Sequence, residues 1–212
     1  MQISLREKIA YLVAAGALGV VFATGFQGTE AKIGVVDISQ VVEKSDFGQK
    51  NQEDFGNMKA AREGVLEFID QYRVLTNEQA LKLRELSLKP NATAAEKAEL
   101  ETLKNTVKLS ETKSKELSVK TTLTPEERTL MQEFAQRSQM MEQVAQRWFR
   151  DFTNEMQQWA DKQKATSIDR ARESVNEVAK AAGYTVVFES GVAPYGANDL
   201  TQAALKAMNA KK

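Results

Sequence analysis

The sequence predicts an α+β chain, mostly α, in which a long antiparallel helical arm of coiled-coil character is inserted between the strands of a small β body. Three observations carry that expectation. Residues 125–182 run for about 58 positions with no internal proline or glycine, which as one helix would reach roughly 87 Å at ~1.5 Å per residue. Short β-branched segments stand near both ends, Ala31 to Val36 (AKIGVV) and Tyr184 to Glu189 (YTVVFE). Between them large apolar residues recur in steps of three and four, the spacing of a seam that faces one partner helix.

Composition narrows the functional classes. The 212 residues carry 29 basic and 29 acidic side chains, and that balance gives no general case for nucleic acid, which calls for a basic excess on one face. Cysteine and histidine are both absent, so disulfides, thiolate nucleophiles, imidazole bases and the usual zinc sites are excluded together. Ser110-Glu111-Thr112-Lys113 fits an S-x-x-K pattern but lacks the S-D-N and K-T-G partners that would make it catalytic. No enzymatic activity, cofactor or metal is expected.

The N-terminus has Arg6 and Lys8, an apolar run from Ile9 to Ala23, and small residues at Val21 and Ala23. That is the pattern of a Sec-type signal peptide over residues 1–23, with cleavage after Ala23 and a mature chain that works outside the cytoplasm. The competing reading is an uncleaved inner-membrane anchor, because residues 9–29 carry no charge and ~20 residues span a bilayer.

Residues 24–46 are expected to supply the first part of the β body: the strand at 31–36, then a short helical turn from Asp37 to Val42. The arm follows over residues 47–182. Its first helix is read from Phe47 to Lys89, about 43 residues and roughly 64 Å, with Phe55, Met58, Val65, Phe68, Tyr72, Leu75 and Leu86 as its seam. Gly56 and Gly64 inside it are read as surface positions or as points of close helix approach. Pro90 ends this helix, and Thr93-Ala94-Ala95-Glu96 caps a polar helix that runs to about Lys120. Breaks are thus placed near 90–93 and 121–124.

Thr124-Pro125-Glu126-Glu127 opens the long helix as a capping box with proline at its first position, and Gly183 suits the left-handed residue that ends it. Its seam is Phe134, Ser138, Met141, Ala145, Trp148, Phe152, Met156 and Trp159; it lapses over the polar residues 161–167 and resumes out of phase at Ile168, Ala171, Val175, Val178 and Ala182. Residues 183–212 complete the body with the strand at 184–189, a further short edge strand over 191–195, and a final helix capped by Asp199 or Thr201. So small a body is marginal alone, and oligomerisation is the natural remedy.

Lys32-Ile33-Gly34-Val35-Val36-Asp37, the long helical excursion, then Ala182-Gly183-Tyr184-Thr185-Val186-Val187-Phe188 and Asp199-Leu200-Thr201 resemble the Skp/OmpH family over roughly residues 31–209. The resemblance implies a periplasmic holdase chaperone without ATP: a homotrimer whose β body is the trimerisation domain and whose arms enclose a cavity for unfolded outer-membrane proteins. Two departures stand out. The chain is neutral where Skp is strongly basic. The extra break at Pro90 makes the arm tip either a third helix folded back or a continuation of the ascending helix.

Candidate client-binding residues come from two groups. Trp148 and Phe149 are neighbours about 100° apart on a helix, so one must leave a single seam; Met140 and Met156 add soft, adaptable side chains. Lys104, Lys108, Lys113, Lys115 and Lys120 stand against Glu111 and Glu116 in the polar helix, an excess of three positive charges. That cluster is read either as a solvated surface or as a weakly basic tip that meets anionic partners, a membrane surface included. The runner-up function is a membrane-anchored coiled-coil structural or adaptor protein of the envelope with no unfolded client.

Overall fold

The computed structural model describes residues 31–193, 196 and 198–211. The signal-peptide or anchor segment expected at 1–23 or 9–29 lies outside them. Among the described residues no helix is long and apolar enough to cross a membrane.

The chain begins with β1 (Ile33–Val36) and α1 (Ile38–Lys44), continues through the helices α2 (Asp46–Gln71), α3 (Asn77–Leu88), α4 (Ala94–Val119) and α5 (Pro125–Ala181), and closes with β2 (Val186–Glu189) and α6 (Thr201–Ala210). Packing separates the described residues into two units. One comprises those up to Val41 and from Ala171 onward, and the other comprises residues 42–170. The division falls just beyond the polar interruption at 161–167.

In the first unit β1 and β2 are parallel, with Ile33 opposite Val186 and Val36 opposite Glu189. Parallel neighbours cannot be joined by a tight turn, so the sequence must supply a crossover, here the whole helical excursion. On the other side of β1, Val35 donates its N–H to the Asn198 carbonyl and accepts from Leu200 N, each at 2.8 Å. This corrects the expected strand at 191–195: residues 191 and 192 form a turn, 194 and 195 lie outside the described residues, and β1 is flanked by residues 198–200 instead.

The alternating pattern of β1 buries Gly34 and Val36 and leaves Ile33 exposed. Val36, Val41, Ala171, Val175, Ala179, Leu200, Ala204 and Met208 make the small core. Asp199 Oδ1 accepts from Thr201 N at 2.8 Å, while the Thr201 hydroxyl accepts from Asp37 N at 2.9 Å and so ties α6 to the start of α1. Gly183 takes φ +70° and ends α5 as read. Ala182, placed in the resumed seam, is exposed.

The second unit departs from a two-helix arm. A single helix from Phe47 to Lys89 does not form; the chain turns at 72–76 and gives α2 and α3. Thr76 is the reason: its hydroxyl accepts from Gln79 N, and the Gln79 side chain accepts from Thr76 N at 2.9 Å, a complete capping box. Val74 and Leu75 in the turn are buried, so apolar residues that extend a helical seam on paper fold into the core as a loop.

Directions follow from side-chain pairs. α2 and α5 are antiparallel: Phe47 lies beside Arg170, Asn51 donates to Ser167, Phe55 meets Trp159 and Arg62 pairs with Glu155, the α5 number falling as the α2 number rises. α3 folds back along them, because Arg84 reaches the same Glu155. α4 reverses again, with Lys82 and Glu99 paired at 3.3 Å. The fold-back is thus made by α3, inside the stretch read as one ascending helix, and the polar helix α4 runs outward again before α5 returns. Val65 and Ile69 of α2, Ala80 and Leu83 of α3, Val107 and Leu117 of α4, and Phe134, Met141, Val144, Trp148 and Phe152 of α5 share one core. Each large side chain fully buried there contributes roughly 1.5–3 kcal/mol relative to exposure.

The turns before α4 and α5 use one pattern, Lys-x-x-x-Thr-x-x-Glu. In each the threonine hydroxyl accepts from the glutamate N–H, the carboxylate accepts from the threonine N–H, and the lysine that ends the preceding helix pairs with that carboxylate: Lys89, Thr93 and Glu96, then Lys120, Thr124 and Glu127. At Gly56 and Gly64 an added Cβ would meet nothing within 4 Å, the surface-position reading, whereas at Gly48 it would lie 1.9 Å from the Val42 carbonyl oxygen.

Candidate functional site

Trp148 and Phe149 divide as helical geometry requires. Trp148 is 1% exposed in the core and Phe149 is 63% exposed. This removes Trp148 from the candidate surface: Val144 on the previous turn is buried with it, and the Arg84 guanidinium lies over its ring at 5.3 Å.

Phe149 stands between two depressions on the α2–α5 pair. The first, about 290 Å³, is lined by Phe55, Leu66, Phe149, Phe152, Met156 and Ala160, with Lys59, Arg62 and Glu63 at its rim. The second is lined by Leu66, Ala145 and Phe149, with Asp70, Gln146 and Arg150 around them. The rim charges are balanced, Lys59 against Glu63 at 3.7 Å and Arg62 against Glu155 at 3.0 Å, so the groove offers apolar contact without a net field.

The structure brings two of the four apolar candidates together, Phe149 and Met156. Met140 is half-buried and packs against the core from α5 without lining either depression. Leu66 was missed, although Val65-Leu66 carries the same signal as Trp148-Phe149, an adjacent apolar pair of which one member must turn away. Val65 is 2% exposed and Leu66 faces the groove.

The lysines lie apart from this groove on α4, and most are balanced. Lys104 pairs with Glu101 at 3.2 Å, Lys113 with Glu116 at 3.5 Å, Lys115 with Glu111 at 3.3 Å and Lys120 with Glu127 at 2.7 Å, while Lys108 is exposed. Glu101 and Glu127 sit outside the sequence window that gave the positive excess; Glu101 lies one helical turn before Lys104, and the turn before α5 brings Glu127 to Lys120. The Lys120 ammonium and the Thr124 N–H hold the Glu127 carboxyl below the usual carboxylate range; Lys89 and Thr93 hold Glu96 down to about 2.

Among the described residues no cluster of carboxylates could hold a metal ion. An exposed phenyl ring and a thioether beside an apolar depression do no acid, base or nucleophilic chemistry. They offer apolar contact to another chain, from the helices α2 and α5. The chain belongs to the OmpH-like family: the family model described as outer membrane protein (OmpH-like) matches residues 32–208. That membership puts it among chaperones of outer-membrane-protein biogenesis. No curated protein and no solved structure matches it.

Proposed function

We propose that the chain is an ATP-independent holdase of the cell envelope, which binds unfolded outer-membrane proteins in a cavity formed by the arms of a homotrimer. The observation that carries this reading is Phe149, a large apolar side chain left 63% exposed beside a depression in a chain of the OmpH-like family. Soft, unspecific apolar contact suits ligands that share no sequence, and Met156 and Leu66 extend the contact around Phe149. With most of the α4 lysines balanced by carboxylates, capture depends on apolar contact and confinement more than on charge.

Trimerisation is supported by the body. Ile33, Val186 and Phe188 are 48%, 42% and 39% exposed, and the strand register puts them on one face of the sheet. An apolar face on so small a core is a surface a partner would cover. Export to the periplasm follows from the same reading and from the signal-peptide pattern of residues 1–23.

The test is to refold an outer-membrane β-barrel protein with purified residues 24–212 present and to measure aggregation and complex stoichiometry together. Suppressed aggregation with three chains per client is expected. Unchanged aggregation overturns the proposal.

A further inference from the structure

α3 covers a face of α2 and α5 that carries Val65, Ile69, Trp148 and Phe152. α3 buries Ala80, Leu83 and Leu86 at three-residue steps, and Ala80 and Leu83 enter the same core as Val65, Ile69, Trp148 and Phe152. The Arg84 guanidinium lies over the rings of Trp148 and Phe152 at 5.3 and 5.0 Å and pairs with Glu155 at 3.0 Å. The recognition pattern is therefore visible: two apolar side chains three apart, with a cation next to the second that answers one carboxylate.

Three observations make α3 a removable occupant. First, the α2–α5 pair is held without it, by Phe47 with Arg170, Asn51 with Ser167 at 3.3 Å and Phe55 with Trp159 at 6.0 Å. Second, Glu155 also pairs with Arg62 at 3.0 Å, so the departure of Arg84 strands no charge in the interior. Third, α3 has 12 residues, at the lower limit of what persists as a helix without tertiary support.

We propose that α3 is a displaceable internal occupant of a helix-binding groove on α2 and α5, and that the external ligand of this groove is a segment of unfolded polypeptide repeating the α3 pattern, apolar residues three apart beside an arginine or lysine. Only the ligand's origin in an unfolded chain depends on the holdase reading; the groove and its internal occupant do not. Displacement would uncover Trp148 and Phe152 and enlarge the apolar surface that begins at Phe149. In the resting chain that aromatic pair stays covered, which protects it from indiscriminate association.

A fluorescein-labelled peptide of residues 76–89 tests this by anisotropy, titrated into the purified full chain and into its Arg84→Glu and Arg84→Gln variants. Weakening the internal contact frees the groove, so Arg84→Gln is expected to bind the peptide about fivefold more tightly than the unchanged chain and Arg84→Glu, which sets a like charge beside Glu155, more tightly still, and a peptide carrying Arg84→Glu is expected to bind none of them. In a Trp159→Phe background, emission from Trp148 should shift to the red in the variants and return when peptide is added. Equal binding to all three chains, or no binding to variants whose helical circular dichroism is intact, overturns the proposal. A variant that dimerises by exchanging α3 between copies and so excludes the peptide makes a second copy the occupant and overturns the external ligand. Neither result bears on the aggregation assay, which tests the holdase reading by itself.

Discussion

Arg84 and Glu155, 71 positions apart, meet at 3.0 Å, and the same carboxylate accepts from Arg62 at 3.0 Å. One acidic side chain on α5 therefore joins α2 and α3. The arrangement is asymmetric. Removing Arg84 leaves a paired Glu155, whereas removing Glu155 leaves two guanidinium groups together, one of them with a buried Nε that has no acceptor among the described residues. Arg84→Ala should cost about 1 kcal/mol, because both groups are partly exposed, and Glu155→Ala about 2–3 kcal/mol. Urea unfolding of the two variants checks the order, and equal losses would contradict it.

Trp148 and Phe149 should separate stability from binding. Trp148→Ala opens a cavity in the core and should cost about 3–5 kcal/mol. Phe149→Ser should change stability by less than about 1 kcal/mol yet lower retention of an unfolded outer-membrane protein several-fold. Thermal melts and a client-retention assay on both variants measure the contrast. Met140→Ser, further from the groove, should affect retention less than Phe149→Ser.

Acid should loosen the turns before α4 and α5 first. The folded-state carboxyl of Glu96 is held at about 2 and that of Glu127 below its ordinary value of 4.5, in each case by a lysine and a capping threonine. Both are depressed groups, so the stability they add is present in full above about pH 4.5 and is lost as pH falls toward 2. Helical circular dichroism followed from pH 6 to 2 should show a loss in that window that Glu96→Gln with Glu127→Gln reduces. Both carboxylates are exposed, so raised salt should shrink the effect.

Two glycines of α2 should respond in opposite directions to alanine. Gly56→Ala should stabilise by about 0.5–1 kcal/mol, since its position is exposed in a helix interior with nothing near an added Cβ. Gly48→Ala should destabilise by about 1–3 kcal/mol, because the new atom would lie 1.9 Å from a backbone oxygen.

The exposed face of the sheet should set the oligomeric state. Phe188→Glu puts a charge on the apolar face with Ile33 and Val186, and light scattering should then report monomer where the proposed trimer is expected of the unchanged chain. A trimer that survives the charge would remove this face from the interface.

Much of this architecture was legible in the sequence because it depends on local chemistry. Thr93, Thr124, Pro125 and Gly183 act within three residues of themselves, and each marks the helix end it was expected to mark. The divergence of Trp148 and Phe149 follows from 100° per residue alone. What escaped was decided across space. The box at Thr76 and Gln79 was present but hidden inside an apolar run, and the run continues because Val74 and Leu75 are buried by a loop. The lysines of α4 looked unbalanced because Glu127 comes to Lys120 only across the turn, while Glu101, one helical turn before Lys104, fell just outside the stretch that was counted. The groove at Leu66 needed two helices in register before its lining could be known.

The pairing of β1 with β2 carries a kinetic consequence. Lys32 beside β1 donates to the carbonyl of Ala182, 150 positions later, so the sheet cannot close until almost the entire chain is available. Helix hairpins with short connections form from nearby contacts and need no such wait, whereas closing a loop of that length is slow. Were the chain exported as proposed, threaded through a translocation pore from its N-terminus, the helices could assemble on arrival while β1 stayed single. The contacts of β1, first with β2 and then with residues 198–200, would be the last joints made.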